Sequence, residues 1–450
     1  MNIMGKEIRK DTPINFEIVK KNIGIYDAKN ISLGNTRIVS KIVDNIESET
    51  GEKFIRMEMG VPGISPSEIG INAEINALKN NVAGIYPPVD GHSFLKKEMS
   101  RFVKLFLNIE VKPENCFPTV GSINGSYASF MVAGRRIKEK NTILFIDPGF
   151  PPHKKIVRML GLQQESFDVN NYRGKELKDK LTEKLNKGNI AALLYSNPNN
   201  PTWICFTDEE LKIISDIARE NNIIVIEDLA YLGMDFRKDY SHPGQPPYQP
   251  TIANYMDNYI LLISGSKAFS YAGQRIGMLI ISENLSKSHF KDLLDYYTSD
   301  IFSNALIYET IFLTTAGVAQ SVQYGFSEIL RAANDGKYNF VDDVRVYGEK
   351  AEIMKKIFTD NGFKIVYDMD GDVPIADGFY FTVSFPGFHG DELSEKLLYY
   401  GISSIPLSST GSLRTEGIRA CVSLVQKVQM PQLEKRLNVF YGHYKENIIE

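Results

Sequence analysis

A lysine lies in a run of small and hydroxyl residues, Ser264-Gly265-Ser266-Lys267-Ala268-Phe269-Ser270-Tyr271-Ala272-Gly273-Gln274-Arg275. The run directly follows an apolar stretch, 259–263 (YILLI), so the amine of Lys267 can reach into a site at the edge of a sheet. Once partly desolvated, such an amine can attack an aldehyde. Ser264, Ser266 and Arg275 could donate hydrogen bonds to a phosphate, with Arg275 giving charge-assisted ones. Taken alone, the segment reads equally well as an exposed lysine in a serine-rich turn.

Three other segments carry complementary chemistry. In Ser196-Asn197-Pro198-Asn199-Asn200-Pro201-Thr202, two Asn-Pro steps impose an extended turn with its amide side chains held in fixed directions. Asn200 could donate to a phenolate oxygen there; a plain loop stop is the alternative. In Asp228-Leu229-Ala230-Tyr231, the carboxylate could hold a ring nitrogen protonated, and the Tyr231 hydroxyl could reach the same phenolate as Asn200. An aspartate that only caps a helix is the alternative. Finally, Gly121-Ser122-Ile123-Asn124-Gly125-Ser126 is a glycine turn opening a helix, whose free N–H groups and dipole favour a phosphate. No Lys-Ser or Lys-Thr follows it, so it is not a P-loop.

These segments need a scaffold, and the hydrophobic pattern supplies one. Short apolar runs at 142–146 (TILFI), 191–195 (AALLY), 223–226 (IIVI), 259–263 (YILLI) and 278–281 (MLII) predict strands buried on both faces. Between two of them, Thr207-Asp208-Glu209-Glu210 reads as a capping box, with Leu211, Ile214 and Ala218 at helical spacing behind it. Buried strands alternating with helices predict an α/β fold, a mainly parallel sheet covered by helices on both faces. The polar residues after each run then fall at the C-terminal ends of strands, where ligands bind in open α/β sheets. The Pro-, Gly- and Tyr-rich stretch 237–258 is expected to be an irregular surface excursion. From about Asp335 a long polar helix, then strands at 363–367 and 379–383, predict a second, smaller α+β unit.

Bulk properties narrow the classes of function. The chain has 450 residues, 43% hydrophobic and 24% charged, so it can bury a large core without disulfides or structural metal. A net charge of −4 with no basic block gives no electrostatic case for a nucleic-acid partner. Cys116, Cys205 and Cys421 are widely spaced and odd in number, which suits free thiols in a reducing compartment. Residues 1–20 lack the apolar core of a signal peptide and no stretch is long and apolar enough to span a bilayer, so the expected location is cytoplasmic, with no membrane partner.

Taken in order, the segments resemble the class I/II aminotransferases, fold type I pyridoxal-phosphate enzymes. The resemblance runs from about Phe54 to Val425 and rests on the ordered set: glycine turn, aromatic after a Pro, Asn-Pro-Thr, Asp-x-Ala-Tyr, Ser-x-Ser-Lys, an arginine eight positions later and a late arginine. It implies a large cofactor-binding domain at 76–330, a C-terminal small domain at 331–450, and an N-terminal arm with part of the small domain at 1–75. Lys267 would form a Schiff base with pyridoxal 5′-phosphate, Asp228 would hold the ring nitrogen, and Asn200 and Tyr231 would bind the phenolic oxygen. Phe150, in Pro148-Gly149-Phe150, would stack on the ring. Gly121, Ser122, Ile123, Ser264, Ser266 and Arg275 would hold the phosphate, joined by Tyr86 acting across a homodimer interface.

On the substrate side the resemblance implies Gly60, Asn200 and Arg419, the arginine taking the α-carboxylate; Arg414 competes for that role. Two positions depart from the family pattern. Trp203, the only tryptophan, stands where a glycine is usual after Asn-Pro-Thr, and Ile123 replaces a polar residue. The implied activity is transfer of an amino group between an α-amino acid and a 2-keto acid, without a metal. The same machinery could serve a β-lyase, decarboxylase or racemase. A non-catalytic effector-binding regulator domain would need a DNA-binding unit, and the residues before Phe54 show no helix-turn-helix or basic face.

Overall fold

The computed structural model describes residues 9–26 and 29–448. They divide into two compact units: the larger comprises Ile64–Asn200 and Ile204–Arg345, and the smaller the residues up to Gly63, Pro201–Trp203 and those from Val346 onward.

The larger unit is built on seven strands: β1 (Cys116–Thr119), β2 (Thr142–Asp147), β3 (Gln163–Asp168), β4 (Ile190–Ser196), β5 (Ile224–Asp228), β6 (Tyr259–Ser264) and β7 (Gly277–Ile281). Their order across the sheet is β1-β7-β6-β5-β4-β2-β3. Only β7 runs against its neighbours, so the sheet is mainly parallel. Strands β2, β4, β5, β6 and β7 are buried along their whole length, as their unbroken apolar runs predict. Two strands escape the apolar-run criterion. Strand β3 is an edge strand with exposed glutamines at its start, and β1 is the other edge and carries Pro118, which only an edge tolerates.

The Asp208–Glu220 helix begins on the predicted capping box: Thr207 Oγ1 accepts from Glu210 N–H, and the Glu210 carboxylate accepts from Thr207 N–H. Its Leu211, Ile214 and Ala218 are buried. The stretch 237–258 is only in part a surface excursion. Residues 244–247 are exposed, but Gln249 is buried, donating to Asn197 C=O at 3.0 Å, and Thr251 donates to the buried Glu227 carboxylate at 2.5 Å. Buried polar groups behind the strand ends need partners, and this stretch supplies them.

In the smaller unit, β8 (Lys364–Ile365), β9 (Tyr380–Ser384), β10 (Ile405–Pro406) and β11 (Gly417–Cys421) form an antiparallel sheet in the order β10-β11-β9-β8. The N-terminal chain joins it: Ile55–Arg56 pairs in parallel with Ile402–Ser403, and Cys421 N–H donates to Met57 C=O at 3.1 Å. The Phe340–Asp360 helix is not polar all round, since Val344, Tyr347, Ala351, Met354 and Phe358 are buried. Among the described residues, no helix is long and apolar enough to cross a membrane.

Candidate active site

The ends of β4, β5 and β6 lie side by side. Ser196 is in register with Asp228, Asp228 with Leu262, and Asn197 N–H donates to Asp228 C=O at 3.1 Å. Three of the expected segments therefore leave the sheet at one edge.

No helix follows β5, so Asp228 is not an N-cap. Its Oδ1 instead accepts from Ala230 N–H at 3.1 Å, an Asx-turn that leads to the buried Tyr231. The carboxylate is buried, and among the described residues its only basic neighbour is His153, whose Nε2 is 4.0 Å from Oδ2. Burial pushes Asp228 up to about 7 and His153 down to about 4, so that histidine offers no full positive charge near neutral pH. His153 Nε2 also lies 3.0 Å from Ser126 Oγ. Nothing in the residue pattern singled out His153; it is placed here because Pro151 starts a helix just after Phe150 and turns the histidine inward. Phe150 is partly exposed and meets the His153 ring edge-on at 5.3 Å.

Asn200 is buried and its Oδ1 has no partner, while its N–H donates to Ser196 Oγ at 3.4 Å. Asn199 ties this loop to the next strand end by donating to Pro148 C=O at 2.8 Å. Lys267 occupies the turn after β6 and is half-buried, which removes the reading of a freely exposed lysine.

A cradle forms between that turn and the Gly121–Ala133 helix. No side chain caps the helix's first turn, so its N–H groups stay available. Gly121 has φ 69°, and a Cβ there would lie 2.4 Å from Arg275 Nη2. A Cβ on Gly277 would lie 2.9 Å from Ser122 N. Arg275 Nη1 reaches Ser266 Oγ at 3.4 Å, and Ser264 Oγ accepts from Ser266 N–H at 3.1 Å. Gly121, Ser122, Ser264, Ser266 and Arg275 are thus brought together. Ile123 is exposed on the same helical turn and offers only its backbone N–H. The cradle suits a phosphate, and the buried Asp228 carboxylate, with no cation beside it among the described residues, suits a protonated ring nitrogen, so these residues fit pyridoxal phosphate.

Arg419 and Gly60 belong to the smaller unit. Arg419 is a buried strand residue of β11; its Nη2 donates to Glu58 C=O at 2.6 Å and its Nε has no partner. Among the described residues no carboxylate lies within ion-pair reach of it; its partners are the Glu58 carbonyl and the Tyr380 ring. Arg414 sits in a turn, half-buried, and is not held by a strand. Trp203 adopts φ 68°, a conformation natural to glycine that costs another residue about 1–2 kcal/mol, yet its ring is wholly buried. Tyr86 is 89% exposed on the larger unit.

A mainly parallel α/β sheet with a lysine, an aspartate and a cradle of N–H, hydroxyl and guanidinium groups at one edge is the arrangement that a pyridoxal-phosphate type of protein needs. The chain matches the aminotransferase class I and II family over residues 54–437, and it belongs to that family. It is 23% identical over 359 residues to a probable aspartate aminotransferase of Methanocaldococcus jannaschii, covering 78% of this chain and 84% of the other. It is 23% identical over 376 residues to the LL-diaminopimelate aminotransferase of Natranaerobius thermophilus, covering 83% and 85%. A crystal structure of an aminotransferase from Mycobacterium tuberculosis superposes with a TM-score of 0.75 at 16% identity, covering 91% of this chain and 96% of that one, which establishes the shared fold.

Proposed function

We propose that this aminotransferase binds pyridoxal 5′-phosphate in its larger unit and moves an amino group between an α-amino acid and a 2-keto acid. The observation that carries the reading is the buried Asp228 carboxylate, without a cationic partner among the described residues, at the sheet edge that also bears Lys267. When bound, the cofactor supplies an aldehyde for amine exchange and an electron sink for charge developing at the substrate Cα.

The chain's own residues do the rest. Lys267, half-buried in its turn, would hold the cofactor's aldehyde through Nζ and, with that amine free, would serve as the base for the substrate Cα proton. Asp228 keeps the ring nitrogen protonated, with neutral His153 filling the space beside it. Asn200 and Tyr231, both buried, would hold the phenolic oxygen, and the partly exposed Phe150 would cover the ring. Gly121, Ser122, Ile123, Ser264, Ser266 and Arg275 hold the phosphate, using backbone N–H groups, hydroxyls and a guanidinium. Arg419 grips the α-carboxylate with its fork, and Gly60, whose missing Cβ makes room for the Tyr380 hydroxyl, lies on the substrate side. The cofactor domain is assigned to 76–330 and the small domain to 331–450 with part of 1–75.

A homodimer is proposed because Tyr86, Ile85 and Leu313 are strongly exposed on the larger unit. A cytoplasmic location is proposed because Cys116, Cys205 and Cys421 form no disulfide.

The test is absorbance of the purified holoenzyme. Adding a reactive amino acid should abolish the cofactor's visible band, a 2-keto acid should restore it, and Lys267→Ala should lack the response. A band indifferent to every amino acid of a broad panel would overturn the proposal; ammonia, carbon dioxide or the mirror-image amino acid as product would redirect it to lysis, decarboxylation or racemisation.

A further inference from the structure

The one tryptophan of the chain sits beside the candidate carboxylate site, in a backbone conformation that favours glycine. The loop carrying it is pinned at its base by Asn199 N–H donating to Ile204 C=O at 2.9 Å, and Pro201–Trp203 group with the smaller unit. There the indole has a fitted space. A Cβ on Gly378 would lie 2.0 Å from Trp203 Cε2, so that position must be glycine while the tryptophan is present. Two residues further on, the Tyr380 ring meets the indole edge-on, with centroids 6.3 Å apart.

Tyr380 in turn carries Arg419. Thr382 is in register with Arg419 across β9 and β11, so Tyr380 is the diagonal neighbour on the same face. The Arg419 guanidinium carbon lies over the Tyr380 ring, 4.7 Å from its centre, a cation–π contact. At its far end the Tyr380 hydroxyl lies 2.0 Å from where a Cβ on Gly60 would be, so the ring is confined there by the backbone. The guanidinium is thus held at one nitrogen by Glu58 C=O and on one face by an aromatic ring. That ring is itself held between Gly60 and Trp203.

We propose that Trp203 is a positioning residue for the substrate carboxylate: it braces Tyr380, whose ring sets the plane of the Arg419 fork. Two parallel hydrogen bonds to a carboxylate demand that plane, so a tilt of the ring weakens both bonds together. Trp203 reaches the reaction only through Tyr380, and Gly378 is the complement that makes room for it. The inference rests on the reading of Arg419 as the carboxylate ligand.

The test compares Trp203→Gly, which suits the backbone, with Trp203→Phe, which restores part of the ring, in holoenzyme with a reactive amino acid. Trp203→Gly should raise KM for the amino acid about tenfold, the range of one weakened charge-assisted bond, while kcat changes less than threefold. Trp203→Phe should recover most of that loss. Because Trp203 is the only source of indole fluorescence, its emission also reports the site directly. Propionate, a carboxylate without an amino group, should shift wild-type emission over the same concentrations at which it competes with the amino acid, and Arg419→Lys should remove the shift.

Unchanged KM in Trp203→Gly, a fall in melting temperature alone, or competitive propionate binding with no change in emission would overturn the bracing role while leaving transamination intact. If Trp203→Gly does not fold, the wild-type emission titration and Trp203→Phe decide the matter. Failure of the underlying reading looks different: Arg419→Lys would then leave KM for the amino acid unchanged, and without transamination no amino acid would alter the visible band even in the wild type.

Discussion

At the scale of single residues, the informative feature is a carboxyl group held where it does not want to ionise. Burial pushes Asp228 up to about 7, against a value near 3.9 in an unfolded chain. Between those values the folded, cofactor-free protein keeps a proton that the unfolded chain loses. The contribution to stability is complete below about pH 4 and disappears as pH rises through about 7. Asp228→Asn removes this titration. In the cofactor-free protein it should therefore flatten the loss of stability from pH 5 to 8, by at most about 1.4 kcal/mol per pH unit. Glu227, pushed up to about 7 by the same burial, still titrates, so the slope shrinks without vanishing. A protonated ring nitrogen beside Asp228 stabilises its charged form, so cofactor should flatten the wild-type slope as well. Melting curves over this pH range, with and without cofactor, check all three statements. A slope unaffected by the substitution would mean that Asp228 is already ionised by an unrecognised cation. Lys267→Ala belongs to this scale too, with turnover expected to fall by about 10²–10⁴-fold from loss of the proton carrier alone.

At the scale of elements, the proposed phosphate cradle is a meeting of one helix start and one turn, and a glycine makes it possible. Gly121→Ala would place a Cβ 2.4 Å from Arg275 Nη2 at a φ of 69°. The guanidinium must then withdraw, and the left-handed backbone costs about 1–2 kcal/mol more. Cofactor affinity should drop about tenfold or more, measured by titration with pyridoxal phosphate, while far-UV circular dichroism stays unchanged. An unaltered affinity would remove the Gly121–Arg275 contact from the binding site. The same contrast explains what the sequence alone could reveal. Buried central strands announce themselves because both faces are apolar, and the Thr207–Glu210 cap because its two bonds need particular side chains at fixed spacing. Edge strands β1 and β3 are silent, since an edge accepts proline and polar residues. Lys267, Asp228, Asn200 and Arg275 stand out in the sequence as candidates because the proposed chemistry fixes residue type and order. His153, Gly378 and Tyr380 do not, because their roles are steric and depend on partners distant in sequence, such as Asp228, Trp203 and Gly60.

At the scale of the whole molecule, the larger unit has an apolar surface that a monomer would leave in water. Ile85 and Tyr86 are 64% and 89% exposed, and Phe312 and Leu313 are 44% and 77% exposed. The two stretches adjoin: Gln320 donates to Ile85 C=O at 3.1 Å, and a Cβ on Gly317 would touch Pro87 at 3.4 Å. Contiguous apolar area of this kind marks an association surface, and a two-fold dimer buries the same patch on both copies. Leu313→Glu puts a charge into that patch without touching the cofactor cradle. Wild type should sediment as a dimer at micromolar concentration and Leu313→Glu as a monomer of unchanged circular dichroism. With Tyr86 acting across the interface, as the family resemblance implies, the monomer should also hold pyridoxal phosphate more weakly. Tyr86→Phe, which keeps the ring and removes the hydroxyl, separates the two effects: it should weaken cofactor binding in a protein that remains dimeric. A wild-type monomer that stays saturated with cofactor and active at nanomolar dilution would exclude any contribution across an interface and confine the site to one chain.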